Sequence, residues 1–138
     1  MSTHAASPCD IGFRVAFEAG HIPPSEFNHL GHLRLAYVYL VEGGIEQGER
    51  QMREALLAFV AANHVPASNF HVTLTRAWLL AVWHFMNRRE SYSFAEFAAN
   101  SAPLLDSKVM LTHYSAETLY SAVARATFVE PDLEAIPV

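Results

Sequence analysis

The sequence predicts an all-α fold: a compact bundle of three long helices, two or three short helices and an extended C-terminal tail. Apolar residues recur with helical spacing through most of the chain after residue 22. Glycine, proline and capping residues divide that stretch into segments of helix length, and strand-like alternation is nearly absent from it. The chain has 138 residues, of which 51% are hydrophobic. We therefore expect a single helical domain over residues 1–138 with a packed core.

The sequence gives weak structural signals in residues 1–22 and strong ones in the first long helix. Residues 1–22 are expected to form an irregular segment, in which the apolar alternation over residues 13–17 is a short extended piece or one irregular turn. Helix 1 is predicted over about residues 25–42, because helical periodicity follows a proline-rich start and stops at Gly43-Gly44.

The next two long helices follow directly along the chain. Helix 2 is predicted over about residues 45–63, with a polar first half and an apolar stripe that includes Phe59. Helix 3 is predicted over about residues 69–88. Pro66 precedes its start, and two arginines supply positive charge at its C-terminal end.

The last third of the chain predicts shorter elements. Ser93 and Glu96 form a capping-box pattern, and Ser115 is placed to cap a later helix. The tail contains a proline that favours extended backbone before it. The predicted helical pieces and the tail cover residues 94–100, 103–111, 116–126 and 127–138.

Charge and composition exclude several classes of function. The net charge is −5 and the nine Lys and Arg residues are scattered, so that we expect no nucleic-acid partner. The longest apolar stretch, residues 77–82, is far too short for a bilayer span, and no secretory signal pattern opens the chain. One cysteine, Cys9, excludes an intramolecular disulfide. A reducing, cytoplasmic location is expected, with no membrane partner.

Three of the eight histidines form the most informative pattern. His29 and His32 lie one turn apart on the same face of predicted helix 1, beside small and apolar residues. His71 lies on the apolar face of helix 3, together with Thr75 and Trp78. Bundle cores build metal sites from side chains on facing helices. The pattern therefore predicts that His29, His32 and His71 hold one divalent transition metal.

Three histidine ligands would leave positions open for water or substrate, which is typical of a catalytic metal. Iron or copper would suit oxidative chemistry and zinc would suit hydrolysis or lyase chemistry. The alternative is that the three histidines are core side chains with hydrogen bonds to backbone or hydroxyl groups.

Other residues could complete this site. Glu26 precedes His29 by three residues, but no second Glu-x-x-His exists, which argues for one metal rather than two. His113 and Tyr114 lie at a break between helical pieces that could direct them into the site. We expect Glu26 or His113 to act as a fourth ligand or as a general acid or base. The alternative for residues 113–115 is a simple turn between helices.

Four further residues are candidates for the wall of a substrate pocket. Thr75 and Trp78 share the face of His71, and Tyr39 is a core or half-buried aromatic residue of helix 1. Arg125 could bind a substrate carboxylate, although pairing with the tail carboxylates is the alternative.

Four segments carry a resemblance. Residues 27–36 (FNHLGHLRLA), 70–75 (FHVTLT), 113–115 (HYS) and 124–133 (ARATFVEPDL) resemble, in that order, a small family of uncharacterised bacterial helical proteins. The resemblance implies that His29, His32 and His71 belong to one site. That family tends to have an acidic residue directly after the histidine of helix 3, whereas this chain has Val72.

We therefore expect a small metal-dependent enzyme with a mononuclear histidine centre, acting oxidatively on a small organic molecule. Aromatic-rich walls with few carboxylates favour an apolar or aromatic substrate. The alternatives are a non-catalytic protein that binds a metal or small ligand, and a structural protein whose histidines are satisfied core groups. The apolar fraction leaves room for a homodimer interface, although no heptad stripe marks one.

Overall fold

The computed structural model describes residues 4–66 and 70–137, which form six α-helices and no β-strand. The predicted all-α fold is confirmed. No helix among the described residues is both long enough and apolar enough to cross a lipid bilayer. The helices are α1 (Pro8–Glu18), α2 (His29–Ala62), α3 (Val72–Met86), α4 (Phe94–Ala99), α5 (Ala116–Leu119) and α6 (Ala122–Ala126).

Helix α2 reverses direction at Gly44, whose backbone (φ 76°, ψ −172°) is not helical. A straight helix would place residues 39 and 48 about 13 Å apart. Instead, a Cβ added to Gly48 would lie 3.1 Å from the carbonyl oxygen of Tyr39. The two arms of α2, residues 29–43 and 45–62, therefore fold back on each other, in agreement with the break predicted at this glycine pair.

The first arm of α2 is the central helix of the molecule. Residues 35–40 are all buried, which is typical of a helix surrounded on every side. Helix α1, the second arm and helix α3 pack around it. The largest fully buried side chains include Tyr37 and Tyr39 on this arm and Leu79 on α3.

The prediction of an irregular N-terminal segment was wrong, because this segment contains helix α1. Ser7 and Asp10 form a capping box, and Pro8 occupies the first helical turn. Phe13 and Phe17 are four residues apart and both pack on the core. Only two members of the short apolar alternation share a helix face, because Val15 lies on the opposite side of α1 and is 50% exposed.

A buried carboxylate anchors α1 to the rest of the bundle. Asp10 is 3% exposed and accepts hydrogen bonds from the backbone N–H groups of Ser7 and Phe94 and from Arg34 Nε. Burial raises the pKa of this carboxyl group, but these hydrogen bonds lower it more, so that its pKa lies below the usual range. One side chain therefore connects α1, α2 and the start of α4.

The C-terminal third contains shorter helical elements than its sequence predicts. The predicted helix over residues 103–111 is replaced by two 3₁₀ turns, Ala102–Leu105 and Val109–Thr112. The predicted helix over residues 116–126 is split into α5 and α6, because the side chain of Ser121 caps a new helix start. Ser115 caps α5 as expected.

The tail lies along α3 and the short helices. Thr73 donates a hydrogen bond to the carbonyl of Thr127, and the N–H of Val129 donates to the Thr73 hydroxyl. The Tyr114 hydroxyl donates to the carbonyl of Val129 at 2.6 Å. Backbone groups that have no helical partner are satisfied in this way.

Gly44→Ala should lower the free energy of unfolding by about 1–3 kcal/mol, because only glycine adopts this backbone conformation without strain. The matched control is Gly12→Ala, which lies within α1 with open space around its Cα. It should raise stability by about 0.5–1 kcal/mol, since alanine is the better helix former. Urea denaturation measures both. A Gly44→Ala protein as stable as the wild type would contradict the reversal at this residue.

Candidate functional site

A cavity of about 420 Å³ opens between the two arms of α2 and the start of α3. Five of the sequence-predicted site residues line it: His29, His32, His71, Thr75 and Trp78. The predicted ligand and wall residues of two distant segments thus lie around one space, because the reversal of α2 and the packing of α3 bring their faces together.

Aromatic residues form much of the wall. Phe27 and Phe59 come from opposite arms of the α2 hairpin, and their ring centroids are 5.3 Å apart. Phe70, which lies just before α3, and Trp78, which is on α3, also line the cavity. Helical periodicity predicts Phe59 in a buried stripe, but the predicted site includes neither Phe59 nor Phe27 and Phe70. Their role depends on the hairpin, and the only sequence signal is the proximity of phenylalanine to each histidine motif.

His29 is tethered to a distant backbone group. Its Nε2 lies 2.9 Å from the carbonyl oxygen of Leu104. A carbonyl only accepts, so that Nε2 carries a proton, and in the neutral form of the ring Nδ1 is an acceptor. The ring also makes an edge contact with Trp78 at a centroid distance of 4.7 Å. This tether fixes the orientation of His29 beside the cavity.

His71 uses both ring nitrogens for structure. It is the N-cap of α3, where Nδ1 accepts the N–H of Leu74 at 3.1 Å. Its Nε2 donates to the carbonyl of Leu119 at 2.7 Å. Burial lowers the pKa of His71, the bond to Leu119 partly offsets this, and the charge of Arg125 lowers it further. The neutral Nε2–H tautomer is thereby fixed.

This role corrects the predicted start of helix 3. The helix begins at Val72 rather than near residue 69, and His71 precedes it with extended backbone (φ −115°, ψ 105°). Residues 67–69 lie outside the described residues. Histidine replaces the usual serine, threonine or aspartate at the cap, and this substitution is why the helical wheel placed His71 within the helix.

Of the three histidines that line the cavity, His32 is the one whose ring makes no hydrogen bond to any described residue. It is partly buried, and its ring packs against Phe27 with centroids 5.7 Å apart. Burial, and secondarily the neighbouring His29, lowers its pKa to about 4. His32 is therefore neutral at physiological pH and offers one donor and one acceptor nitrogen to the cavity.

The described residues contain no group of three or more His, Cys, Asp or Glu side chains arranged to hold a metal ion. The hydrogen bonds explain the difference from the predicted set. Both nitrogens of His71 are engaged, and Nε2 of His29 is engaged as well. The nitrogens left for a metal are those of His32 and Nδ1 of His29.

The structure does not bring the predicted acid or base residues to this cavity. Glu26 is exposed in the 3₁₀ turn Pro24–Glu26 and lines a separate cleft beside Arg34. His113 Nδ1 bonds to the carbonyl of Glu134 at 2.7 Å. Tyr114 is buried and its hydroxyl bonds to the tail. The break at residues 113–115 thus holds the C-terminal tail in place.

Two predicted wall residues also lie elsewhere. The Tyr39 hydroxyl donates to Glu18 at 2.5 Å, on the side of α2 that faces α1. Arg125 is close enough to lower the pKa of His71 but does not line the cavity. The tail carboxylate Asp132 accepts bonds from the Ser115 backbone N–H and hydroxyl and from a threonine hydroxyl.

No family model matches this chain, and neither the curated proteins nor the solved structures that were compared with it contain a match. The resemblance to uncharacterised bacterial helical proteins therefore stays a prediction.

Acid should destabilise the protein through His32 before it protonates the carboxylates. The pKa of this residue falls from 6.5 in the unfolded chain to about 4 in the folded protein. Between these values the unfolded state binds more protons, so that stability is present above pH 6.5 and is lost as pH falls toward 4. The full loss due to His32 is about 3 kcal/mol.

Urea denaturation between pH 7 and 4.5 tests this expectation. His32→Phe should lose clearly less stability over this range, because its ring does not titrate. His21→Phe, which changes an exposed histidine outside the cavity, should behave like the wild type. Equal losses in wild type and His32→Phe would contradict the assignment of a low pKa to His32.

Proposed function

We propose that the protein binds a small, uncharged organic molecule in the histidine cavity, with neutral His32 as its polar anchor. The observation that carries the proposal is that the ring nitrogens of His32 have no partner among the described residues, although the ring faces a largely apolar cavity. A polar group beside an apolar space is stabilised by a ligand that completes its hydrogen bonds.

Size and charge support this proposal. A cavity of about 420 Å³ lies in the range of small-molecule sites, which combine apolar walls with a few placed polar groups. The described residues that line it include no Asp, Glu, Lys or Arg. A charged ligand would lose its hydration there and gain no opposite charge in return.

The second candidate is the metal-dependent enzyme that the sequence predicts. It is favoured by His29 and His32, two neighbouring histidines that line the cavity one helical turn apart, and by the neutral state of His32, the form that binds metals. His32 and Nδ1 of His29 would hold an iron, copper or zinc ion, and His71 would join them only after releasing the N–H of Leu74. A bound metal would supply Lewis-acid or redox chemistry to a small substrate.

The ligand-binding proposal predicts selectivity for uncharged probes. In ¹H–¹⁵N correlation spectra, cyclohexanol and benzyl alcohol should cause saturable shifts at cavity residues such as Trp78 and Thr75. Benzoate and benzylammonium should not, because the wall carries no compensating charge. Saturable binding of the charged probes, or shifts confined to other regions, would overturn the proposal.

Two variants test whether His32, rather than the cavity as a whole, anchors the ligand. His32→Phe keeps a ring of similar size and should weaken benzyl alcohol binding about fivefold, since one net hydrogen bond contributes about 1 kcal/mol. His21→Phe should leave the affinity unchanged. Unchanged affinity in His32→Phe would remove His32 as the anchor.

Metal binding is measured separately. The metal-dependent alternative predicts a raised melting temperature with a divalent metal, reversal by EDTA and loss of both effects in His32→Phe. Metal content of untagged protein well below one ion per chain, unchanged by His32→Phe, would contradict it.

A further inference from the structure

We infer that the occupant of the histidine cavity is a neutral aromatic molecule that donates a hydrogen bond, of the phenol or indole class. This inference rests on the proposed function and assigns the chemical class of its ligand. It follows from three features of the cavity: its unused hydrogen-bond acceptors, its aromatic walls and the absence of charge on its described lining.

The acceptors follow from the tautomers. His71 has no nitrogen left, because it accepts from Leu74 and donates to Leu119. His29 donates through Nε2 to Leu104, which leaves Nδ1 as an acceptor only. Neutral His32 adds a second acceptor nitrogen. Among the imidazole nitrogens that make no hydrogen bond to a described residue, acceptors therefore outnumber donors. The ligand group that complements them is a hydrogen-bond donor, O–H or N–H.

The walls favour a ring over a saturated molecule. Phe27 and Phe59 both line the cavity and meet at an interplanar angle of 56°. Trp78 makes an edge contact with His29 at 64° and lines the same space. Aromatic pairs in such tilted arrangements are stabilised beyond the burial of their area.

Charge on the ligand is disfavoured by the composition of the cavity wall. The described residues that line the cavity include no Asp, Glu, Lys or Arg, so that a buried charge on the ligand would lose its hydration and find no charged partner. A phenol should therefore bind in its protonated form. In that form its hydroxyl can donate a hydrogen bond to the acceptor nitrogen of His32.

Three probes of nearly equal size separate these requirements: phenol, anisole and cyclohexanol. Anisole lacks the donor and cyclohexanol lacks the aromatic ring. Titrations followed by ¹H–¹⁵N spectra should give phenol about fivefold tighter than anisole and about threefold or more tighter than cyclohexanol. Equal binding of anisole would overturn the donor requirement, and equal binding of cyclohexanol would overturn the aromatic requirement.

The outcomes also distinguish this inference from the proposed function. If cyclohexanol and anisole bind in the cavity as well as phenol does, the ligand class is wrong but the small-molecule site stands. If none of the three binds while the wild type is folded, the proposed function fails as well.

Variants at one position test the acceptor. His32→Phe should abolish the preference, so that phenol and anisole bind with about equal affinity. His32→Gln keeps an acceptor oxygen and should retain part of the preference. His21→Phe should keep the full preference. A preference that persists in His32→Phe would assign the donor bond to another group and overturn the role of His32.

The ionisation of the probe tests neutrality. The hydroxyl of phenol stays protonated between pH 6 and 8, so that phenol serves as the reference for any change in the cavity itself. The affinity for 4-nitrophenol, whose hydroxyl ionises near neutral pH, should fall across this range relative to the affinity for phenol. Equal binding of the nitrophenolate form would overturn the requirement for a neutral ligand.

Discussion

The close approach of the two arms of α2 positions α3 and the cavity. Gly44 provides the backbone conformation that reverses the chain, and Gly48 lets the second arm lie against the carbonyl of Tyr39. A side chain at either position would strain or separate the arms. The reversal places Phe59 against Phe27, and a cavity forms between these rings and α3.

Around this cavity, three identical side chains serve three different purposes. His71 begins a helix and donates to the carbonyl of Leu119, and His29 is tethered by one nitrogen. His32 lines the cavity, and its ring makes no hydrogen bond to any described residue. A metal centre needs several imidazoles with free nitrogens in one place. A small-molecule site needs few polar groups among apolar walls, and the observed division favours that arrangement.

Local signals predicted the features that lie close together in the chain. The break at Gly44 and the joint orientation of His29 and His32 follow from backbone preference and helical periodicity. The role of His71 could not be predicted, because it depends on the carbonyl of Leu119, which tertiary packing supplies. His113 was wrongly included in the predicted site, because the sequence pattern of a helix break is the same whether its residues bind the C-terminal tail or a ligand.

His29 and His71 donate to backbone carbonyls, whereas His32 makes no ring hydrogen bond to a described residue. Long-range ¹H–¹⁵N spectra of the histidine rings as a function of pH measure this difference directly. His29 and His71 should each show the Nε2–H tautomer at pH 7, and His32 should stay neutral and titrate with a pKa of about 4. A His32 that titrates near 6.5, or a His71 protonated at Nδ1, would contradict it.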